Sequence, residues 1–187
     1  MTHNDLATQN PGTAGQTAVT GERADLLAML AKTRHFMRFP ARDLTDEQAR
    51  QRSTASELCI GGLIKHVTAV EEVWADFIVQ GPSPERDFAA MTEADWAARA
   101  DEFRLLPGET LDGVLARYQQ VAARTDELVT SLADLGVSHP LPQAPWYAPG
   151  ERWSARRVLM HIIAETAQHA GHADIIRESL DGAKSMG

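Results

Sequence analysis

The chain has 187 residues, of which 43% are hydrophobic, and a formal charge of −8, which is enough for one well-buried core and too little for two ordinary domains. Net acidity excludes a nucleic-acid surface, which needs a concentrated basic face to neutralise phosphates. The single cysteine, Cys59, excludes an intramolecular disulfide framework and a thiolate-only metal site, and it fits a reducing compartment.

Residues 1–21 are rich in Thr, Asn, Gln, Gly and Ala without an apolar period, and read as a flexible N-terminal arm. They contain no basic region followed by an apolar run. No later stretch approaches the roughly 18 apolar residues of a membrane span, so the expectation is a soluble, cytoplasmic protein without membrane partners.

From Glu22 to about Phe39, Leu26, Leu27, Leu30, Phe36 and Met37 recur at helical spacing until Pro40 prevents continuation. Thr45 with Gln48 has the form of a capping box and predicts a short helix over Asp46 to Arg50. A second long helix is expected from about Ser56 to Gln80. Cys59, Leu63, His66, Val70, Val73, Trp74 and Phe77 form its apolar stripe, and Gly81-Pro82 ends it. Pro82 to Gly108 reads as a long connection carrying one small helix around Thr92 to Phe103.

A third long helix spans about Thr110 to Leu135 with Gly136 as its cap, and His139 to Gly150 reads as a proline-rich loop. Ser154 caps the last helix, which Asp181-Gly182 stops. The expected architecture is all-α: a four-helix bundle over 22–182 with a long connection between its second and third helices, and a tail at 183–187.

The last helix carries the chemistry. His161, Glu165, His169 and His172 fall within an arc of roughly 80° at about 100° per residue. His66, on the apolar stripe of the second long helix, can face them across the bundle core, where polar ligands from neighbouring helices converge. The predicted metal ligands are His66, Glu165 and His169, because Glu165 and His169 lie one turn apart and can grip one ion. His172 is a reserve ligand or supports a ligand from behind, and His161 is placed either to orient Glu165 or to pack at the bundle end. Two imidazoles and a carboxylate with one exchangeable position suit catalytic zinc, and the same donors suit non-haem iron. An unpaired carboxylate among apolar side chains is costly, and a cation compensates it. Trp74, Trp146 and Trp153 are candidates for lining a pocket, with core filling as the ordinary alternative. Cys59 reads as a core thiol.

Ile60-Gly61-Gly62-Leu63-Ile64-Lys65-His66, followed by Val70-Glu71-Glu72-Val73-Trp74, resembles the second-helix signature of the DinB-like superfamily. His161 to Glu178, with Glu165, His169, His172, Asp174 and Arg177, is similar to the last-helix signature of its actinobacterial branch, long labelled a domain of unknown function. The resemblance implies a four-helix bundle holding a divalent metal, zinc first and nickel or iron as alternatives. It departs from the three-histidine pattern of many members and matches the His, Glu, His arrangement associated with mycothiol-dependent maleylpyruvate isomerase. That enzyme has an additional C-terminal domain, so its particular reaction is not carried over.

Related members are S-transferases that use mycothiol or bacillithiol. The resemblance therefore implies a metal-dependent thiol transferase of the detoxifying kind, in which the metal acidifies the thiol for attack on an electrophile. The alternatives are a non-catalytic, metal-stabilised stress or interaction protein and a metal-dependent hydrolase. A small-molecule thiol, an electrophile and a second copy of the chain in a homodimer are the expected partners.

Overall fold

The computed structural model describes residues 19–83 and 91–185. Most of the expected N-terminal arm, part of the connection after Pro82 and the end of the tail lie outside the described residues.

Leu26, Leu30 and Met37 put one buried face on α1 (Glu22–Arg38), and the proline that follows turns the chain through a short 3₁₀ segment, Phe39–Ala41. The Thr45–Gln48 capping box forms in full and starts α2 (Asp46–Arg50). α3 runs from Ile60 to Gln80, four residues shorter at its start than the apolar period suggested. Serine and threonine side chains compete for the preceding backbone: Ser56 N donates to Thr54 Oγ1 at 3.1 Å and Leu58 N to Ser56 Oγ at 3.2 Å. Cys59 remains extended and buried as the residue before the helix.

The connection contains α4 (Glu93–Asp101), opened by a Thr92–Asp95 capping box. α5 (Leu111–Ser131) ends short of Gly136. Arg23 of α1 explains the early stop, since its guanidinium donates to the carbonyls of Val129 at 2.5 Å and Leu132 at 2.6 Å and satisfies the exposed end of α5. Gly136 belongs instead to the next turn, where its N–H bonds Asp134 Oδ1 at 2.7 Å.

The segment expected to be only loop is bounded by two short strands, β1 (Ser138–Pro140) and β2 (Arg152–Ser154). They pair antiparallel, with His139 opposite Trp153. Three residues per strand are too few for a period of two to show in a sequence. Ser154 then caps α6 (Ala155–Asp181), which ends at Gly182 in the left-handed conformation, φ 79°. Arg177 pairs with Asp181 at 2.8 Å and also donates to the carbonyls of Pro40 and Arg42.

The described residues are thus mostly helical, with six α-helices and one small two-stranded sheet. α6 packs on α1 and α3, α3 on α5, and α1 on α5. The core has two parts. One gathers Met37, Ile60, Leu63, Ile64, Tyr118 and Ile176, and the other Leu30, Phe77, Val129, Val158, Leu159 and Ile162. Between them, along α1 and α3, stands a buried ion pair. Arg34 donates to both carboxylate oxygens of Glu71, at 2.5 and 3.2 Å, and to Asp126 at 2.7 Å.

Gly61 and Gly62 let the chain after α4 lie directly on α3. A Cβ at position 62 would sit 1.9 Å from the carbonyl oxygen of Phe103, and one at 61 would meet Leu105 at 3.0 Å. Gly62→Ala gains about 1 kcal/mol of helix propensity but forces a backbone displacement of the kind that costs about 1–3 kcal/mol. The close approach wins, because the obstructing atoms are main chain and cannot rotate away. A melting temperature lowered by up to about 8 °C is expected, at 2–4 °C per kcal/mol for a domain of this size. A raised melting temperature, the outcome of helix propensity alone, would contradict this crossing.

Candidate metal centre and cleft

His66 projects from the second turn of α3, and Glu165 and His169 project one turn apart from α6, which packs against α3. One ligand atom from each lies within 4.8 Å of the others. His169 Nε2 is 3.7 Å from Glu165 Oε2, close to the edge of about 3.4 Å implied by zinc bonds of 2.0–2.1 Å in a tetrahedron. The imidazoles of His66 and His169 meet edge to face with centroids 4.9 Å apart.

The surroundings hold these rings in place. Phe103, delivered by the chain crossing Gly62, stacks on the His66 ring at 3.9 Å. His66 is only 4% exposed, and its Nδ1 is buried without a hydrogen bond, with Glu102 Oε2 at 3.8 Å. A buried imidazole that is not fully hydrogen-bonded, facing a second imidazole and a carboxylate, is the environment a cation would complete. His172 lies outside the three-ligand group. Its Nδ1 is 3.3 Å from Nδ1 of His169, so it supports that ring from the side opposite Nε2.

His161 also lies outside the group. It packs edge-on against Trp74 at 5.0 Å and Trp153 at 5.1 Å, and among the described residues it makes no hydrogen bond to Glu165. Burial pushes its pKa down.

Burial, followed by the neighbouring His66, lowers the His169 pKa from 6.5 to about 4. The ring is therefore neutral near pH 7, with a lone pair available to a cation. In the unfolded chain the ordinary value returns, so between the two values the unfolded state binds more protons. The contribution to stability is full above pH 6.5 and is lost as pH falls toward 4. Chelator-treated protein should show a urea midpoint that drops through this window, and His169→Gln should flatten the dependence. An equal slope in wild type and variant would contradict the assignment.

The three residues help to line a cleft of about 850 Å³. Trp74, Trp146 and Trp153, singled out from the sequence, all line it, and so does His161. Val70 and Val73 of the α3 stripe are only half buried because they form cleft wall rather than core. Sequence reasoning missed Glu102 and Phe103, which lie just past α4, and Tyr147, which lies in the proline-rich loop. Both long connections contribute to the lining. No helix among the described residues is long and apolar enough to cross a membrane.

A mostly helical fold with a histidine–glutamate–histidine group beside a deep cleft places the chain among the DinB-like proteins. The model of the mycothiol-S-transferase family matches residues 25–182, and the chain belongs to that family. The fold is similar to the crystal structure of a conserved protein from Enterococcus faecalis, with a TM-score of 0.64 and 12% identity over 88% of this chain and 100% of that one. Among curated proteins none is similar in sequence.

Proposed function

We propose that the protein is a metal-dependent thiol S-transferase of the cytoplasm that joins mycothiol to an electrophilic small molecule, as a detoxifying enzyme would. The supporting observation is the convergence of His66, Glu165 and His169 beside a cleft of about 850 Å³, large enough for a thiol and a second substrate together. In this reading α1, α3, α5 and α6 form a four-helix bundle of DinB-like type spanning 22–182, and the three ligands hold a divalent ion, zinc first, with nickel or iron suited to the same donors. The ion would supply acidification of the thiol, giving a nucleophile at neutral pH.

The chain's own groups have separable parts. Glu165 would offset the ion's charge, and His66 and His169 would each offer it a ring nitrogen. His172 fixes the orientation of His169, Phe103 fixes that of His66, and the aromatic walls limit water around the reacting sulfur. The test is consumption of an electrophile by the metal-loaded protein with and without mycothiol. Consumption that requires both thiol and metal supports the reading, and equal consumption without thiol would replace it with hydrolysis.

A further inference from the structure

The cleft is lined unequally. Among the lining residues, Trp74 and Trp153 stack with centroids 4.9 Å apart and planes 17° from parallel. Tyr147 meets the edge of Trp153 at 5.8 Å, and Trp146 meets Tyr147 at 6.0 Å. These rings form a continuous aromatic wall that ends in an indole 55% exposed. The wall is fixed. Trp153 sits in β2, its indole N–H donates to Glu151 Oε1 at 2.9 Å, and the Arg157 guanidinium lies 4.7 Å over its ring. Val70 and Val73 add aliphatic surface, and Asp76, Gln80, Ser83 and Arg99 contribute polar groups to the same lining.

We propose that the aromatic wall is the electrophile subsite and that the electrophile is an apolar molecule bearing an aromatic ring, with the polar part of the lining left to the thiol. This deepens the thiol-transfer reading and rests on it. Rings in offset or edge-to-face contact attract a further ring beyond the effect of area alone. A thiol carrier rich in hydroxyls would lose hydrogen bonds to water against such a wall and regain them beside carboxylate, amide and guanidinium groups. An exposed indole continuous with an apolar cleft marks a binding surface rather than a packing remnant. With chlorodinitrobenzene, the sulfur forms the new C–S bond with its own electron pair, chloride leaves with the C–Cl pair, and the thiol proton passes to water.

The test compares chlorodinitrobenzene with iodoacetamide, a small polar electrophile, using mycothiol and the full metal-loaded chain. Trp146→Ala should lower kcat/KM for chlorodinitrobenzene about tenfold relative to iodoacetamide, through the KM of the aromatic substrate, and Trp146→Phe should recover most of the loss. An unmoved ratio, or a tenfold rise in the KM of mycothiol instead, would overturn the proposal. Calorimetry with dinitrobenzene, which lacks a leaving group, separates this from the transferase reading. Binding to wild type that weakens in Trp146→Ala supports the subsite even where no turnover is found, and in that case only the transferase reading is lost. Absence of binding to wild type overturns the subsite whatever the turnover.

Discussion

If the proposed site is right, His169→Ala abolishes divalent-metal binding and thiol transfer while leaving the helices intact. Substituting a group that merely supports a metal ligand typically costs 10–100-fold in affinity or activity, so loss of a ligand itself should exceed about 100-fold. The helix should survive, because alanine is the strongest helix former and the His169 ring contacts other side chains rather than backbone groups. Elemental analysis beside circular dichroism distinguishes the two effects. Stoichiometric metal retained by a folded His169→Ala protein would remove His169 from the ligand set. His66→Ala should behave alike, although it also removes the ring on which Phe103 stacks.

Arg34→Leu is expected to destabilise the fold by about 3–5 kcal/mol, because it leaves the carboxylate of Glu71 uncompensated in the core. Arg34 is 3% exposed and Glu71 0%, so water cannot replace the lost partner. At 2–4 °C per kcal/mol, the melting temperature should fall by about 6–20 °C. The double variant Arg34→Leu with Glu71→Leu should regain most of that loss, since replacing a whole buried pair with apolar groups is often neutral or stabilising. Asp126 differs. With its side chain 45% exposed, its contact with Arg34 is screened, and Asp126→Asn should shift stability by less than about 1 kcal/mol. Thermal unfolding of the three proteins checks the ordering, and a double variant no more stable than Arg34→Leu would show that the pair contributes through specific packing instead.

The three proposed ligands were legible from the sequence because helical spacing places Glu165 and His169 on one stripe and His66 on an apolar one, and helices of this length have little freedom in which faces they present. The stripe that holds Val70 and Val73 did not reveal that they wall the cleft, since an apolar period is the same whether a face meets another helix or lines a cleft. The Arg34–Glu71 pair was hidden for the opposite reason. A charged residue in a helix ordinarily faces solvent, and only the packing of α1 on its neighbours reveals two charges meeting inside. Phe103 and Glu102 lie at the end of a connection whose path over α3 depends on two glycines. Gly61-Gly62 was visible in the sequence, but which segment would use the space it leaves was not. β1 and β2 escaped notice through brevity, and yet they fix Trp153 in the cleft wall.

The central claim, that His66, Glu165 and His169 hold a metal that takes up a thiol, is tested most directly by the visible spectrum of cobalt-substituted protein titrated with mycothiol. A saturable shift with a new sulfur-to-cobalt charge-transfer band, absent from His66→Ala and His169→Ala, is the predicted result. A cobalt-loaded protein whose spectrum does not move at saturating mycothiol would contradict it, and so would a folded protein that takes up no cobalt at all.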